Sequence, residues 1–578
     1  MTPVKPDPKG VLRRDLPLSL GAALAMAFSG GALAQQSTDQ LPGGTSTLST
    51  PATVPGVPGV TTIPAVPGST TAAPPGTIGP GSPRQAAADT DLGKPPPFYI
   101  QLNISSELTW TNNALFGTGA KQSDEILDIT PGIVVHGDGA NYRLDGNFYL
   151  DGVAYFHHTE PDRVLPRGYL LFNADLVQNL LYFDAGIRSS TFVENPFGVA
   201  SVGPASTYNE YTTTQFRASP YIQRELTPDI TLSARSDDSW TTTDAPAGFA
   251  GTDGFYGMQS VRIERRPEPL GWGVLVSQSD SRFQGESNDA LKDDAARLSV
   301  NYSFDPVLLG LIAGYERAYV DGPSKEHYIA GVRFEWRPDL RTAFSATVEE
   351  RYFGTGWNLN LGHREEDFAL SANWSRDVTT YPTLLGSQLG AGFVPSLLDS
   401  VLSGEYTNTT ARTEAVQNLL LTTGIPSDIP GGPSLVASAQ ALNVDTASVN
   451  AIFLGKFNTL AVTVYRTRTV PYVIDGEPLV LTVPGAFIDN TVDGATISLD
   501  HKLSPTLDVN ATLLRTLTEG LGSVSGASSH QTSLVIQLND RITPRTSAFL
   551  GVRHQILDSN LVASTTESAV FVGINHRF

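Results

Sequence analysis

The feature that most constrains this chain is a two-residue alternation of apolar and polar side chains that recurs from residue 98 onward. Successive residues of a strand point to opposite faces, so the alternation predicts strands with one apolar and one hydrated face. Three segments show it most clearly: Val332, Phe334 and Trp336 against Arg333, Glu335 and Arg337; Tyr142, Leu144, Phe148 and Leu150 against Arg143, Asp145, Asn147 and Asp151; Ile497, Leu499 and Leu503 against Ser498, Asp500 and Lys502.

The connections between these segments alternate in length. Tight links carrying Pro, Gly or Asn lie at 137–140, 227–229, 305–306, 338–339, 504–505 and 543–544. Longer polar loops separate them, at 114–123, 191–210, 243–255, 285–289, 383–446 and 520–528. Outer-membrane barrels have short periplasmic turns and longer external loops. The sequence therefore predicts an all-β fold, a transmembrane antiparallel β-barrel, rather than a soluble sandwich.

The strand count supports a closed barrel. Closure is expected because hydrocarbon offers no partner for the N–H and C=O groups of an open sheet edge. Counting gives 22 strands, an even number, as a chain that enters and leaves on one side requires. They are predicted at residues 98–112, 124–137, 141–157, 166–178, 180–190, 211–226, 229–242, 256–267, 270–284, 290–304, 307–320, 325–337, 340–353, 356–364, 367–381, 447–457, 460–473, 485–503, 506–518, 529–542, 545–558 and 563–577.

Composition excludes several other classes. The chain has 578 residues and a formal charge of -20, so it lacks the basic field that nucleic-acid binding requires. It has no Cys, which removes disulfide scaffolds and thiol catalysis. The densest apolar run after residue 97, at 307–313, is far shorter than the roughly 20 residues of a transmembrane helix. Any membrane crossing is therefore predicted to use strands.

The amino end has the layout of a cleaved secretory signal. Basic residues precede an apolar run at 16–28 and the small-residue site Ala32-Leu33-Ala34, which predicts a signal peptide at 1–34. Residues 35–97 are rich in Pro, Gly and Thr and carry repeated Val-Pro-Gly units. This composition predicts a disordered periplasmic tether ahead of a barrel at 98–578.

The carboxyl end carries a candidate assembly signal. Phe578 follows His576, Ile574, Val572 and Val570 at a spacing of two. A terminal aromatic residue on a mostly apolar strand resembles the signal that the outer-membrane assembly machinery reads. The expected partners are this barrel-assembly machinery and outer-membrane lipid, and the expected location is the outer membrane of a Gram-negative bacterium.

Several segments carry a more specific resemblance. They lie at 340–364, 370–380 and 454–466, together with Thr130-Pro131-Gly132 and Ser219-Pro220-Tyr221. These segments resemble the outer-membrane proteins that accompany PEP-CTERM and exosortase systems in exopolysaccharide loci, over residues 98–578. The resemblance implies a role in exporting surface polysaccharide or an associated protein, with polysaccharide secretion components as partners. It assigns no function to individual residues.

Local clusters suggest no metal site, cofactor or enzyme. His157, His158, Glu160 and Asp162 lie near Asp151, but at a strand end and loop where polar residues are expected. Neither Asp pair, at 237–238 or 293–294, has the spaced oxygen ligands and glycine of a calcium loop. No G-x-S-x-G or comparable nucleophile motif occurs, so we expect no catalytic residue.

The polar strand faces supply the candidate functional residues instead. Charged side chains there are expected to face a hydrated lumen and to tune what passes. The candidates are Arg143, Asp145, Arg333, Glu335, Arg337, Asp500 and Lys502.

The insertion at 383–446 is the main irregularity. Apolar spacing at 395–402 and 413–421 predicts two short amphipathic helices. Wide barrels are commonly plugged, so the segment either folds inward and narrows the pore or forms a cap outside. The leading function is a channel or scaffold for exopolysaccharide or protein export. The alternatives are a general diffusion porin and a structural or adhesive protein with a sealed lumen.

Overall fold

The computed structural model describes residues 98–116, 121–193, 195–199, 202–203, 209–244, 253–284, 289–388, 398, 401–402, 440–474 and 489–578. The predicted signal peptide and tether lie outside these residues. So do the whole of the helix predicted at 413–421 and most of the one predicted at 395–402.

The described chain forms one antiparallel sheet of 22 strands that closes on itself, which confirms the predicted fold class. Each strand pairs with its sequence neighbours, and β1 also pairs with β22. The strands are β1 Phe98–Thr111, β2 Asp124–Asp138, β3 Tyr142–Tyr155, β4 Arg163–Val177, β5 Leu181–Val193, β6 Glu210–Thr227, β7 Ile230–Asp244, β8 Gly254–Arg265, β9 Leu270–Phe283, β10 Leu291–Phe304, β11 Val307–Tyr319, β12 Ser324–Trp336, β13 Thr342–Arg351, β14 Gly354–Arg364, β15 Phe368–Thr380, β16 Ala441–Leu454, β17 Asn458–Pro471, β18 Asn490–Lys502, β19 Leu507–Gly520, β20 Ser528–Thr543, β21 Thr546–Ser559 and β22 Thr565–Arg577.

Short helical segments accompany the strands within the described residues, where 398, 401 and 402 are also helical. Helix α1 spans Tyr381–Gln388 and follows β15 directly, and a 3₁₀ turn spans Gly522–Val524. Among the described residues, no helix has both the length and the apolar character needed to cross a membrane.

The two faces of the barrel wall differ in polarity. On the outer face large apolar side chains are exposed, among them Leu311 at 68% and Tyr328 at 79%. On the inner face the alternate residues are buried and largely polar, as with Glu316, Asn450 and Ser533. Because soluble proteins rarely expose apolar surface on this scale, the outer face has the character of a lipid-facing wall.

The two rims differ in the length of their connections. One, the short-turn rim, carries the turns at 139–141, 178–180, 228–229, 305–306, 365–367, 455–457 and 544–545. The other, the long-loop rim, carries the connections at 112–123, 194–209, 245–253, 381–440 and 472–489. Two of its connections are short, at 320–323 and 352–353. Gly322 within the first and Gly354 directly after the second supply the positive φ values of 104° and 98° that tight reversals need.

Pairing of β1 with β22 closes the ring. The register runs from Asn103 opposite Arg577 to Thr111 opposite Ala569. The backbone N–H of Phe578 extends this ladder by donating to the carbonyl oxygen of Leu102 at 3.0 Å. The Phe578 side chain is 66% exposed, so it adds to the apolar outer surface at the short-turn rim.

Aromatic rings lie over glycines of adjacent strands on the inner face. Tyr465 stands opposite Gly494 in the β17–β18 register, and a Cβ atom at Gly494 would overlap the Tyr465 ring. The same arrangement places Tyr149 over Gly132, Phe571 over Gly551 and Phe549 over Gly573. These glycines are therefore required for close approach of a ring to the neighbouring backbone.

Candidate functional site

Helix α1 crosses the interior of the barrel near the long-loop rim. It begins where β15 ends, and Pro382 occupies its first turn, where a missing N–H costs nothing. The Tyr381 hydroxyl is hydrogen-bonded to Thr213 Oγ1 at 2.8 Å, and Gln215 Nε2 donates to the Pro382 carbonyl oxygen at 3.0 Å. Thr213 and Gln215 lie on β6, nine strands from β15 in a ring of 22.

Apolar packing holds α1 against the opposite wall. Tyr381 and Leu385 are buried with Tyr211 of β6, and Leu384 packs against this cluster and against Leu442 of β16. Burial raises the pKa of Tyr381 to about 12, although its hydrogen bond to Thr213 works in the opposite direction. The neutral phenol is therefore the form that suits the docked helix.

Residues 195–199 and 202–203, which follow β5, contact the inner face at β21. Val199 is buried in a cluster with Leu557 of β21 and Phe116 of the β1–β2 connection. The N–H of Val202 donates to Gln555 Oε1 of β21 at 3.0 Å. Asn209 fixes the loop from inside, because its Nδ2 donates to the Val199 carbonyl oxygen at 2.8 Å. We call residues 195–199 and 202–203, together with helix α1, the inward loops.

Only a small part of the insertion predicted at 383–446 lies within the described residues. Its described helical start lies inside the ring, in contact with β6, β7 and β8. Helix α1 at Tyr381–Gln388 is an element that the sequence did not predict. Within the helix predicted at 395–402, the described residues Leu398, Val401 and Leu402 are helical and buried. The interior at the long-loop rim is consequently narrower than the ring of strands around it.

A buried arginine organises the charges of the inner wall below this rim. Arg351 of β13 is 3% exposed in its side chain, and its Nε donates to Glu316 Oε2 of β11 at 2.5 Å. Its Nη2 lies 2.9 Å from Asp293 Oδ2 of β10, and its Nη1 lies 3.9 Å from Asp377 Oδ1 of β15. Glu316 also accepts from the Tyr352 N–H at 2.6 Å. One cation therefore holds carboxylates from three other strands, and we call these four side chains the Arg351 hub.

Other inner-face charges are also paired. Arg297 of β10 lies 3.3 Å from Glu349 of β13, and both are almost fully buried. Arg553 of β21 lies 3.0 Å from Glu567 of β22, which also accepts from Thr111 of β1 at 2.8 Å. At these positions the inner-face carboxylates are therefore paired with arginines, although the chain as a whole is acidic.

The predicted lumen candidates form three separate groups near the short-turn rim. In the first, Arg143 Nε donates to Asp145 Oδ2 at 2.6 Å, and His136 Nδ1 lies 2.7 Å from the other Asp145 oxygen. In the second, Glu335 pairs with both Arg333 and Arg337. In the third, Asp500 and Lys502 share the inner face of β18, where Lys502 stands opposite Asp508.

The sequence-based list missed the residues at the other rim. Arg351, Glu316, Asp293 and Asp377 bear charge at inward positions, but only the barrel register shows that strands β10, β11, β13 and β15 bring them together. Tyr381 and Thr213 carry no local signal at all, because their contact passes across the ring.

The carboxylates considered for metal binding are held by separate partners. Asp151 pairs with Arg167 at 2.7 Å, Asp162 accepts from the Tyr155 N–H, and Glu160 accepts from the Tyr155 hydroxyl. Likewise Asp237 pairs with Arg217 and Asp293 belongs to the Arg351 hub. These contacts give each carboxylate a structural partner.

One further group of ligand-type atoms lies at the long-loop rim. Atoms of Asp124, Glu125 and His157 fall within 4.8 Å of one another. Asp124 already accepts from the His157 N–H at 2.9 Å and from Thr159 Oγ1 at 2.6 Å, and the His157 side chain is 63% exposed. These bonds attach the β3–β4 connection to β2, which accounts for the cluster without an ion.

The chain matches no protein-family model and no curated protein sequence. It is similar to solved structures of bacterial proteins. The FrpB iron transporter of Neisseria meningitidis (F5-1 variant, apoprotein) has 11% identity and a TM-score of 0.43, covering 85% of this chain and 83% of that one. The siderophore receptor PirA of Acinetobacter baumannii has 11% identity and a TM-score of 0.39, covering 83% and 80%. The outer membrane protein OpdK of Pseudomonas aeruginosa has 8% identity and a TM-score of 0.31, covering 83% and 99%.

Proposed function

We propose that the chain is an outer-membrane channel of a Gram-negative bacterium, narrowed at its external rim by the inward loops. The observation that carries the proposal is the hydrogen bond of Tyr381 to Thr213 across a closed ring of strands. A wall that is apolar outside and polar inside suits a hydrated pore in lipid. The expected location and the lumen role of Arg143, Asp145, Arg333, Glu335, Arg337, Asp500 and Lys502 belong to this proposal.

The cargo that we propose is a surface exopolysaccharide or a protein exported with it. Support comes from the resemblance of segments 340–364, 370–380 and 454–466 to barrels that accompany exosortase systems. Pairing of inner-face carboxylates with Arg351, Arg297 and Arg553 removes part of the repulsion that an acidic interior would exert on an anionic polymer. The role is non-enzymatic, with lipid, the barrel-assembly machinery and polysaccharide secretion components as partners.

Replacing residues 381–440 by a short Gly–Ser linker tests the constriction. Thr380 and Ala441 face each other in the β15–β16 register, so about four linker residues can join them without disturbing the sheet. In planar bilayers the variant should conduct more current per channel than the intact barrel. Replacement of residues 245–252 at the same rim is the control. Equal currents from the intact and shortened barrels would refute the constriction.

Export is tested in a strain that lacks the gene. Loss of secreted polysaccharide or of a co-exported surface protein, restored by the intact gene, is expected. Constitutive conductance to small ions without an export defect would instead identify a general diffusion porin. Absence of both conductance and an export defect would identify a sealed structural or adhesive barrel.

A further inference from the structure

The outer wall carries a depression of about 660 Å³ across strands β13 to β19. We propose that it binds one anionic, phosphate-bearing membrane lipid, with an acyl chain in the depression and the headgroup on Arg466 and Arg515. This inference rests on the membrane location proposed above, and it concerns the outside of the barrel rather than its pore. The volume lies within the range of about 300–1,000 Å³ that small ligands occupy.

Small residues in two neighbouring cross-strand rows create the depression. In one row Ala447 stands between Trp374 and Arg466, and in the next Ala495 stands between Val464 and Arg515. All of these side chains lie on the outer face, because they alternate along their strands with the residues of the inner face. We call this surface the outer groove, with Ala372, Ala447 and Ala495 as its floor.

The walls of the outer groove differ in chemistry. One wall is the Trp374 ring, which is held in place by a 3.0 Å hydrogen bond from its Nε1 to Asp445 Oδ1. The other wall is formed by Arg466 and Arg515. A ligand seated between them contacts an aromatic face on one side and cations on the other.

Polarity changes along the strands at the level of the outer groove. The next outward row toward the short-turn rim is apolar throughout and comprises Leu370, Ala451, Val462, Ile497 and Leu513. The next row toward the long-loop rim is charged and includes Arg376, Asp445, Arg468 and Glu519. A bound molecule must therefore be apolar at one end and polar at the other, with its polar end toward the long-loop rim.

The charge of the outer groove selects an anion. Arg466 is 64% exposed in its side chain and lies 3.7 Å from Asp493 Oδ1, a long and solvated pair. Two arginines therefore line the groove against one aspartate. Guanidinium groups bind phosphate oxygens through paired N–H donors, so a phosphate headgroup fits this end. The acyl chain of an anionic lipid would also contact the apolar row on the short-turn side of the outer groove.

Native mass spectrometry of the full barrel in non-ionic detergent tests the assignment. The probes are dioleoylphosphatidylglycerol and dioleoylphosphatidylcholine, which share acyl chains and differ in net headgroup charge. We expect one retained phosphatidylglycerol, preferred about tenfold over phosphatidylcholine, since charge-assisted hydrogen bonds contribute on that scale. The double variant Arg466→Gln/Arg515→Gln should lose the preference, and Ala447→Trp should lose retention of both lipids by filling the groove.

Arg317→Gln is the matched control. Arg317 also points outward toward the long-loop rim, with a side-chain exposure of 45% and a carboxylate partner, Glu326, at 3.7 Å. An equal loss of phosphatidylglycerol from this variant would mean that surface charge alone attracts the lipid, which overturns the site. A change in oligomeric state in the groove variants would assign the groove to a second copy of the chain and overturn it as well.

Two readouts separate this inference from the proposed location. Heat-modifiable gel mobility reports whether each variant forms the barrel. Bromine-labelled acyl chains should quench Trp374 fluorescence in the intact protein, with Trp374→Phe as the blank. A protein that stays in solution without detergent refutes the membrane location. A barrel that needs detergent but shows neither preference nor quenching refutes the lipid site alone.

Discussion

Tyr381 and Thr213 are hydrogen-bonded at 2.8 Å, although one follows β15 and the other lies on β6, nine strands away. In a closed single-layer ring such a contact must pass through the interior. The bond therefore shows that helix α1 reaches from β15 across the lumen to β6.

Leu385→Asn should undock helix α1 and raise single-channel conductance. Leu385 is 3% exposed within the cluster of Tyr381 and Tyr211, so a polar side chain there costs at least about 2 kcal/mol of docking energy. Planar bilayer recording measures the change. Leu561→Asn, at an exposed position of the same rim, should conduct like the intact protein. Unchanged current in Leu385→Asn would show that α1 does not restrict the pore.

Alkaline pH should open the same constriction. Burial raises the pKa of Tyr381 to about 12, above its ordinary value of 10.0, so the docked helix favours the neutral phenol. The docking contribution is fully present below pH 10 and is lost as the pH rises toward 12. Conductance recorded across that window should rise in the intact protein. Tyr381→Phe lacks the ionisable group and should show no such step; a step of equal size there would assign the effect to another group.

Arg351→Met should destabilise the barrel by about 3–5 kcal/mol, because it leaves buried carboxylates of the Arg351 hub without their cation. Urea unfolding in detergent or lipid measures the loss. The comparison is Arg337→Met, whose partner Glu335 lies 3.4 Å away and whose own side chain is 63% exposed. That change should cost no more than about 1 kcal/mol. Equal losses would mean that the hub adds nothing beyond an exposed ion pair.

Gly494→Ala should destabilise the β17–β18 pair because the new methyl group overlaps the Tyr465 ring. We expect a loss of about 1–3 kcal/mol, as for overpacked sites. A double-mutant cycle with Tyr465→Ala isolates the cause, since removing the ring should abolish most of the effect of Gly494→Ala. Additive losses in that cycle would point to backbone conformation instead.

The strands could be predicted because each obeys a local rule. Between Tyr328 and Trp336 of β12, for example, the outward residues Tyr328, Val332 and Trp336 are apolar and the pattern repeats every second residue. Alternation of apolar and polar residues fails to predict a strand where inward-facing residues are also apolar. Strand β16 begins at Ala441 and not at 447, because Leu442 and Val444 point inward and pack near Leu384 of α1. Alternation alone assigns such residues to the wrong face.

The Arg351 hub and the inward loops could not be predicted in the same way. Their partners lie on strands far apart in sequence, and only the closed ring sets their distances. Sequence spacing did place Arg143 beside Asp145 and Arg333 beside Glu335, because residues two apart on a strand share a face. The inner face was therefore predictable strand by strand, whereas the contacts across it were not.

The register of β1 with β22 has a kinetic consequence. All other paired strands are neighbours in sequence, so their ends meet at a lower entropic cost, although β15 and β16 are joined by the long connection at 381–440. The pairing of Asn103 with Arg577 must instead bring together residues separated by nearly the whole described chain. Slow, late ring closure is thus expected of this topology. Until the ring closes, the sheet has two edge strands with unpaired backbone N–H and C=O groups, which favour aggregation.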